Sequence, residues 1–553
     1  MEMCRRTGLA FLILFTGCSV DGRSLDVYRA PSEIPPPSQA SSGDRPSSAA
    51  GVEAEPSPEP EGSEGLALQP GSGASDGEGP APDSGDPAPD SPGPGPAPAE
   101  SQTAESPPMQ PPAMPAAPLE SVLQIRFAGD GFGRIVVSAP DASVQSCERD
   151  CQVIVPAGAH VSLEASALPT SSFVAWSGGP CSGAVCSIDL DSGLELQVQF
   201  QLAYNVAFAS EREYSVAELP RPGAAANQEC ARLAAAAGLH GTRWVAWLAA
   251  NGSTTAAADD ITPAGLLQNP GGWVRTDGAP FARSREALLA GEVLNPLNLS
   301  ERRTSVATLS WSGTSPDGSL WHVNGEPMDC NNWTSLSGSD FGGTSVSSAV
   351  GFNWAGENAW YCDQTAALQC FGDDAAPAVP LPARDPARRI MFLSSSSFAP
   401  GGGISAADQL CQRDACNAGL TGSNNCAVDL GSQRRFLSYL HSSRQPGWAR
   451  FDLNGAGWVR ADGIEWLPLA ADLAGDAARH LTGEDVHADG SFNKGFNVFW
   501  VGDPAGTDNC NDWTSSAGQG CYGDFLNIGN ELHRPPCSRD SCAEAYPVLC
   551  LQQ

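Results

Sequence analysis

Asp329-Cys330-Asn331-Asn332-Trp333-Thr334-Ser335 and Asn509-Cys510-Asn511-Asp512-Trp513-Thr514-Ser515 decide how this chain is read. Both hold Cys-Asn, one variable residue, then Trp-Thr-Ser. Working outward, Cys330, Cys362 and Cys370 are separated by 32 and 8 positions, and so are Cys510, Cys542 and Cys550. Cys230 lies 140 positions before Cys370, and Cys411 lies 139 before Cys550. Gly238-Leu239-His240-Gly241 matches Gly419-Leu420-Thr421-Gly422 as Gly-Leu-x-Gly. Chance rarely repeats so many intervals, and a repeat of about 165 residues is far longer than a solenoid unit, so the C-terminal half holds two whole domains.

Each copy opens on a helix-like stretch that carries its first cysteine. In the second, Ser405 precedes Asp408 at capping-box spacing, Ile404, Leu410 and Cys411 form an apolar face, and Gly419 is the expected C-cap. In the first, the alanine-rich run from Ala224 to Ala237 holds Cys230 and stops at Gly238. Strand-like runs follow at Thr242 to Leu248 and Gly272 to Arg275, and at Arg435 to Leu440 and Gly457 to Arg460, giving an α+β pattern with long Gly, Asn and Asp-rich loops.

The chain has 553 residues, enough for three or four domains at ~150 residues each. Its 63 acidic against 30 basic side chains give a net charge of -33, a surface that repels phosphate backbones, so nucleic acid is not an expected partner. Lys494 is the only lysine. Eighteen cysteines point to an oxidising compartment.

The N-terminus fits export. Arg5 and Arg6 precede the apolar run Leu9 to Phe15, too short to span a bilayer, and Thr16-Gly17-Cys18 follows. Leu14-Phe15-Thr16-Gly17-Cys18 resembles a bacterial lipobox, with Phe15 departing from the usual Leu or Val. The resemblance implies cleavage of residues 1–18 before a lipidated Cys18 and, with Ser19 next, retention at the outer membrane; an ordinary signal peptide is the alternative. Residues 19–118 read as a disordered acidic linker: Pro31 to Pro118 contains 23 of the 46 prolines and 14 acidic residues but no Phe, Trp or Tyr, too little apolar surface to offset chain entropy. Such a stretch is a semi-stiff stalk.

Residues 119–203 read as a small all-β module with strands around Val122–Phe127, Arg134–Ser138, Gln152–Val155, His160–Ala165 and Leu194–Phe200. Cys147 and Cys151, Pro156-Ala157-Gly158, Trp176-Ser177-Gly178, and Cys181 and Cys186 together resemble a divergent internalin-type B-repeat, a β-grasp-like spacer. Two local disulfides, Cys147 with Cys151 and Cys181 with Cys186, are expected there; a four-cysteine zinc site is the competing reading.

The cysteine-bearing helix ending in Gly-Leu-x-Gly, the turn and strand around Trp311-Ser312-Gly313-Thr314-Ser315-Pro316-Asp317-Gly318, the Cys-x-x-Trp-Thr-Ser box and the closing Tyr546-Pro547-Val548-Leu549-Cys550 resemble the endostatin-like, C-type-lectin-like domain, seen also in bacterial lipoproteins of unknown function. The two copies would be 204–373 and 389–553, joined by a linker at 374–388. The family's nested pairing implies Cys230 with Cys370, Cys330 with Cys362, Cys411 with Cys550 and Cys510 with Cys542. The four cysteines left in the second copy are expected to pair Cys416 with Cys426 and Cys521 with Cys537.

Lectin-type calcium needs several oxygen ligands on one loop. Asp329, Asn331, Asn332, Glu357 and Asn358 supply them in the first copy, and Asp508, Asn509, Asn511 and Asp512 in the second. The competing role for these residues is turn capping, and the sugar-binding Glu-Pro-Asn triplet is missing: Glu326-Pro327 is followed by Met328. No other cofactor is expected. No histidine cluster supports endostatin-type zinc, and neither a Gly-x-Ser-x-Gly elbow nor a His-Glu-x-x-His motif occurs, although a serine beside His533 remains open. Six tryptophans near loops, Trp311, Trp321, Trp354, Trp360, Trp466 and Trp500, are either core or an exposed stacking surface. The expectation is a non-enzymatic, outer-membrane lipoprotein that offers lectin-like modules to an extracellular glycan or protein, in adhesion or recognition. The alternatives are a passive structural envelope lipoprotein and, more remotely, an accessory protein of a secreted hydrolase.

Overall fold

The computed structural model describes residues 120–139, 143–252, 260–306, 309–356, 358–422, 426, 434–474, 480–495, 498–524 and 537–553. Cys18, the stalk at 19–118, Glu357 and His533 lie outside the described residues. The structure is mostly β, with several sheets and few helices, and none of the described helices is long and apolar enough to cross a membrane.

Alternation of apolar and polar residues sets the first module. Strands Cys151–Pro156, Glu120–Ala128, Leu194–Leu202 and Ser171–Ser177 form one four-stranded sheet in that order, and Gln145–Cys147, Gly133–Ser138, Ala159–Ala167 and Val185–Leu190 a second. Leu123, Ile125, Ile135, Val161, Leu163, Leu196, Val198 and Phe200 are all fully buried between the sheets, while their sequence neighbours face out. This module contains no helix among the described residues.

The central strands of the two repeats pair alike, although the first repeat gathers nine strands into one sheet and the second divides its strands between a sheet of four and a sheet of three. In the first, Asn205–Ala209 pairs parallel with Trp273–Arg275 and antiparallel with Thr365–Gly372, which also takes Trp244–Ala246. In the second, Arg389–Leu393 pairs parallel with Trp458–Arg460 and antiparallel with Leu549–Gln552, which also takes Phe436–Ser438. Register is kept too: Cys370 stands opposite Phe208 and Ala246, and Cys550 opposite Phe392 and Ser438. In both copies the helix packs against this sheet through its disulfide, Cys230 to Cys370 and Cys411 to Cys550.

The helices run Ala224–Ala236 and Gly403–Asn417, ending before Gly238 and Gly419, which both have φ 73°. Ser405 is not the cap it was expected to be. The second helix starts earlier, after Gly402, because Gly401 and Gly403 take positive φ and turn the chain in before Ser405. Asp408 instead binds Ser438 and Arg450 across the fold.

Eight disulfides are formed: Cys147–Cys151, Cys181–Cys186, Cys230–Cys370, Cys330–Cys362, Cys411–Cys550, Cys416–Cys426, Cys510–Cys542 and Cys521–Cys537. The zinc alternative for the first four cysteines falls, since each thiol is spent on its neighbour.

The expected linker 374–388 is stitched down at its start. Gly272 donates to Pro377, Val379 donates to Arg283 and is fully buried, and Asn205 holds Ala375 through both amide groups. The β module is also fixed to the first repeat. Asp130, 4% exposed, accepts from His240 N and Leu202 N and meets His240 Nδ1 at 2.6 Å, while Arg303 reaches Asp130 O and covers the Phe132 ring. Against burial, which would raise it, these bonds from His240 hold the Asp130 carboxyl below its ordinary range.

Candidate functional site

The Cys-x-x-Trp box folds as a left-handed turn. Cys330, Asn331, Asn332 and Trp333 have φ of 49°, 54°, 58° and 55°, and Cys510, Asn511, Asp512 and Trp513 have 53°, 53°, 53° and 64°. A non-glycine residue costs roughly 1–2 kcal/mol there, and Asn or Asp tolerates it better than Cys or Trp. Four in succession persist only where the surroundings over-determine them.

Those surroundings are duplicated. Asp329 accepts from Asn332 N at 2.9 Å, and Asn509 accepts from Asp512 N at 3.1 Å. The indole N–H of Trp333 donates to Ala249 O at 2.7 Å, that of Trp513 to His441 O at 2.8 Å, and both rings are buried. Cys330 and Cys510 are tied to Cys362 and Cys542. Gly342 and Gly520 are required beside the turn. A Cβ on either would lie 2.7 Å from the disulfide sulfur of Cys330 or Cys510 and 2.9 Å from the ring of Trp311 or Trp500.

The calcium candidates serve this turn. Asp329 is fully buried and its second oxygen accepts from Asn251 N; Asn332 Nδ2 donates to Asn251 O and its carbonyl accepts from Arg221. The Asn331 carbonyl takes the Thr334 hydroxyl. In the second copy, Asp512 accepts from Ser443 N at 2.6 Å and Ser443 Oγ at 2.7 Å, bonds that hold its carboxyl below the ordinary range. Asp508 pairs with Arg539 at 2.8 Å, and Asn511 Nδ2 donates to Thr514. Among the described residues no three His, Cys, Asp or Glu side chains are grouped to hold a metal ion. The lectin-type calcium expectation therefore gains no geometry: the carboxylates of Asp329, Asp508 and Asp512 are engaged in caps and an ion pair.

The second copy nevertheless brings Asp508, Asn511 and Asp512 to one open cleft of about 380 Å³, completed by Ser443, Thr507 and Gln519. Ser443, Thr507 and Gln519 were missed in the sequence. Only the adjacent Asn-Asp pair, tolerant of left-handed backbone, marked the place. The cleft is polar and mildly acidic, and its hydroxyl, amide and carboxylate groups are suited to hydrogen-bond a ligand.

The core reading of the tryptophans holds for four of the six. Trp311, Trp354, Trp466 and Trp500 are at most 1% exposed, and Trp311 donates to Tyr214 O. Trp321 and Trp360 alone of the six are half-buried. No protein-family model matches the chain, and no curated protein shows significant similarity to it.

Proposed function

We propose that the protein is a non-enzymatic, lipid-anchored lipoprotein of the outer membrane that holds two C-type-lectin-like, endostatin-like modules out on an acidic stalk to bind an extracellular glycan or protein. The contact surface is the cleft around the left-handed turn of the second repeat. Its open polar lining of hydroxyl, amide and carboxylate groups carries this reading, because such groups match sugar hydroxyls or a peptide backbone. The lipobox resemblance supplies the membrane partner and the stalk the reach. Nucleic acid is not a partner of so acidic a chain.

The test is a glycan array and a pull-down with the full chain beside Gln519→Ala and Asn511→Ala. A ligand held by the wild type and lost by both variants supports the proposal; no ligand above background, or one that ignores both substitutions, overturns it.

A further inference from the structure

Behind the sheet of the second repeat lies a charged cluster with no solvent. Arg460 is 0% exposed and donates to Asp462 at 2.6 Å, to Asp485 at 2.9 Å, to Gly483 O and to Thr482 Oγ1 at 3.1 Å. Thr482 Oγ1 in turn donates to Leu294 O of the first repeat at 2.5 Å, with both residues buried. Glu484 accepts from the Trp466 indole at 2.7 Å and lies 3.7 Å from His480. At the rim, Lys494 pairs with Glu292 of the first repeat at 2.7 Å. The cluster thus stands at the joint between the repeats.

The first repeat shows what the fold itself needs at this place. Trp273-Val274-Arg275-Thr276-Asp277-Gly278 matches Trp458-Val459-Arg460-Ala461-Asp462-Gly463. Arg275 binds Asp277, Pro296 O and Asn298 Oδ1 at 2.9 Å, as Arg460 binds Asp462, Gly483 O and Asp485. The same bond is made there by a neutral amide, so the carboxylate of Asp485 is dispensable for this architecture.

We infer that the joint between the two repeats is proton-operated: it is closed when Asp485 is protonated and opens more readily when Asp485 is ionised. Arg460 Nη1 has two hydrogens for three acceptors, Thr482, Gly483 and Asp485, so an ionised Asp485 draws it from Thr482, whose hydroxyl reaches the first repeat. Asp485 Oδ2 has no partner among the described residues, so nothing but Arg460 offsets the charge that ionisation places there. The charged groups acting on Asp485 are Arg460 and Asp462; Glu484 acts on Arg460, and the first repeat contributes Glu292 at the rim, paired with Lys494. Burial pushes the Asp485 carboxyl up from 3.8 to about 6, against the pull of Arg460. The closed form thus binds the proton more tightly than a free carboxyl does, so the opening constant rises with pH, by at most about a hundredfold.

Hydrogen exchange of the full chain between pH 4 and 7.5, divided by the intrinsic rate at each pH, reads opening at segments 291–298 and 481–487. The expected result is a rise at both segments, at most about a hundredfold, flattened by Asp485→Asn. Thr482→Val should raise exchange at both segments and flatten the pH slope as well, because it removes the hydroxyl that links Arg460 to the first repeat. A pH-independent first-repeat segment, or an unchanged slope in Asp485→Asn, overturns the inference; if Asp485→Asn does not fold, the wild-type slope at 291–298 decides alone.

Discussion

The two repeats differ most where one keeps a charge and the other an amide. Around matching arginines, the first uses Asp277 and Asn298 and the second Asp462 and Asp485. Around matching left-handed turns, the first places Asn251 and Asn332, and the second Ser443 and Asp512. The pairing of the central strands, its register and the two nested disulfides are common to both, with Cys416–Cys426 and Cys521–Cys537 added in the second, so these exchanges point to what the second repeat does beyond folding.

The comparison breaks first at the disulfides. Loops of 140 and 139 residues are closed by Cys230–Cys370 and Cys411–Cys550, each worth up to about 5 kcal/mol in the chain-entropy model. Cys230→Ser with Cys370→Ser, and Cys411→Ser with Cys550→Ser, should each unfold one repeat in calorimetry, with similar losses. A large inequality would show that closure entropy is not the shared support.

Next in size is Asp485→Asn, which converts the second repeat to the chemistry of the first. With the folded pKa raised from 3.8 to about 6, the native state binds more protons than the unfolded one in that interval, so wild-type stability falls as pH rises through it. The variant should match wild type below about pH 4 and exceed it above about pH 6, by up to roughly 3 kcal/mol in denaturant titrations. Asn298→Asp should impose the opposite change on the first repeat.

Gly342→Ala and Gly520→Ala come third. Each places a methyl against a disulfide sulfur and a tryptophan ring, at about 1–3 kcal/mol by overpacking, and the two losses should agree because the contacts do.

Much of this was legible in the sequence, and the rest fails for reasons of range. Cysteine intervals and the Trp-Thr-Ser box exposed the duplication because covalent pairing fixes sequence spacing. The helix start was misplaced because Ser405 satisfies a local rule that Gly401 and Gly403 override through backbone freedom. The role of Arg460 was invisible: Trp-Val-Arg reads as a strand, and its partner Asp485 lies 25 positions away in a loop without periodicity. The cleft was half visible, since Asn511 and Asp512 announce a turn but nothing local draws Ser443 or Gln519 to it.

Asn331→Gly and Asn511→Gly carry the smallest stability effect. Glycine takes positive φ at no steric cost but adds unfolded-state entropy, so each change should stay within about 1 kcal/mol. That makes the pair the most direct test of the account's central claim, which is that the second repeat uses its turn to bind. On the ligand recovered by the array or pull-down, titration calorimetry should show Asn511→Gly folded but with binding weakened at least tenfold, while Asn331→Gly binds as wild type. Equal binding by wild type and both folded variants would contradict the claim.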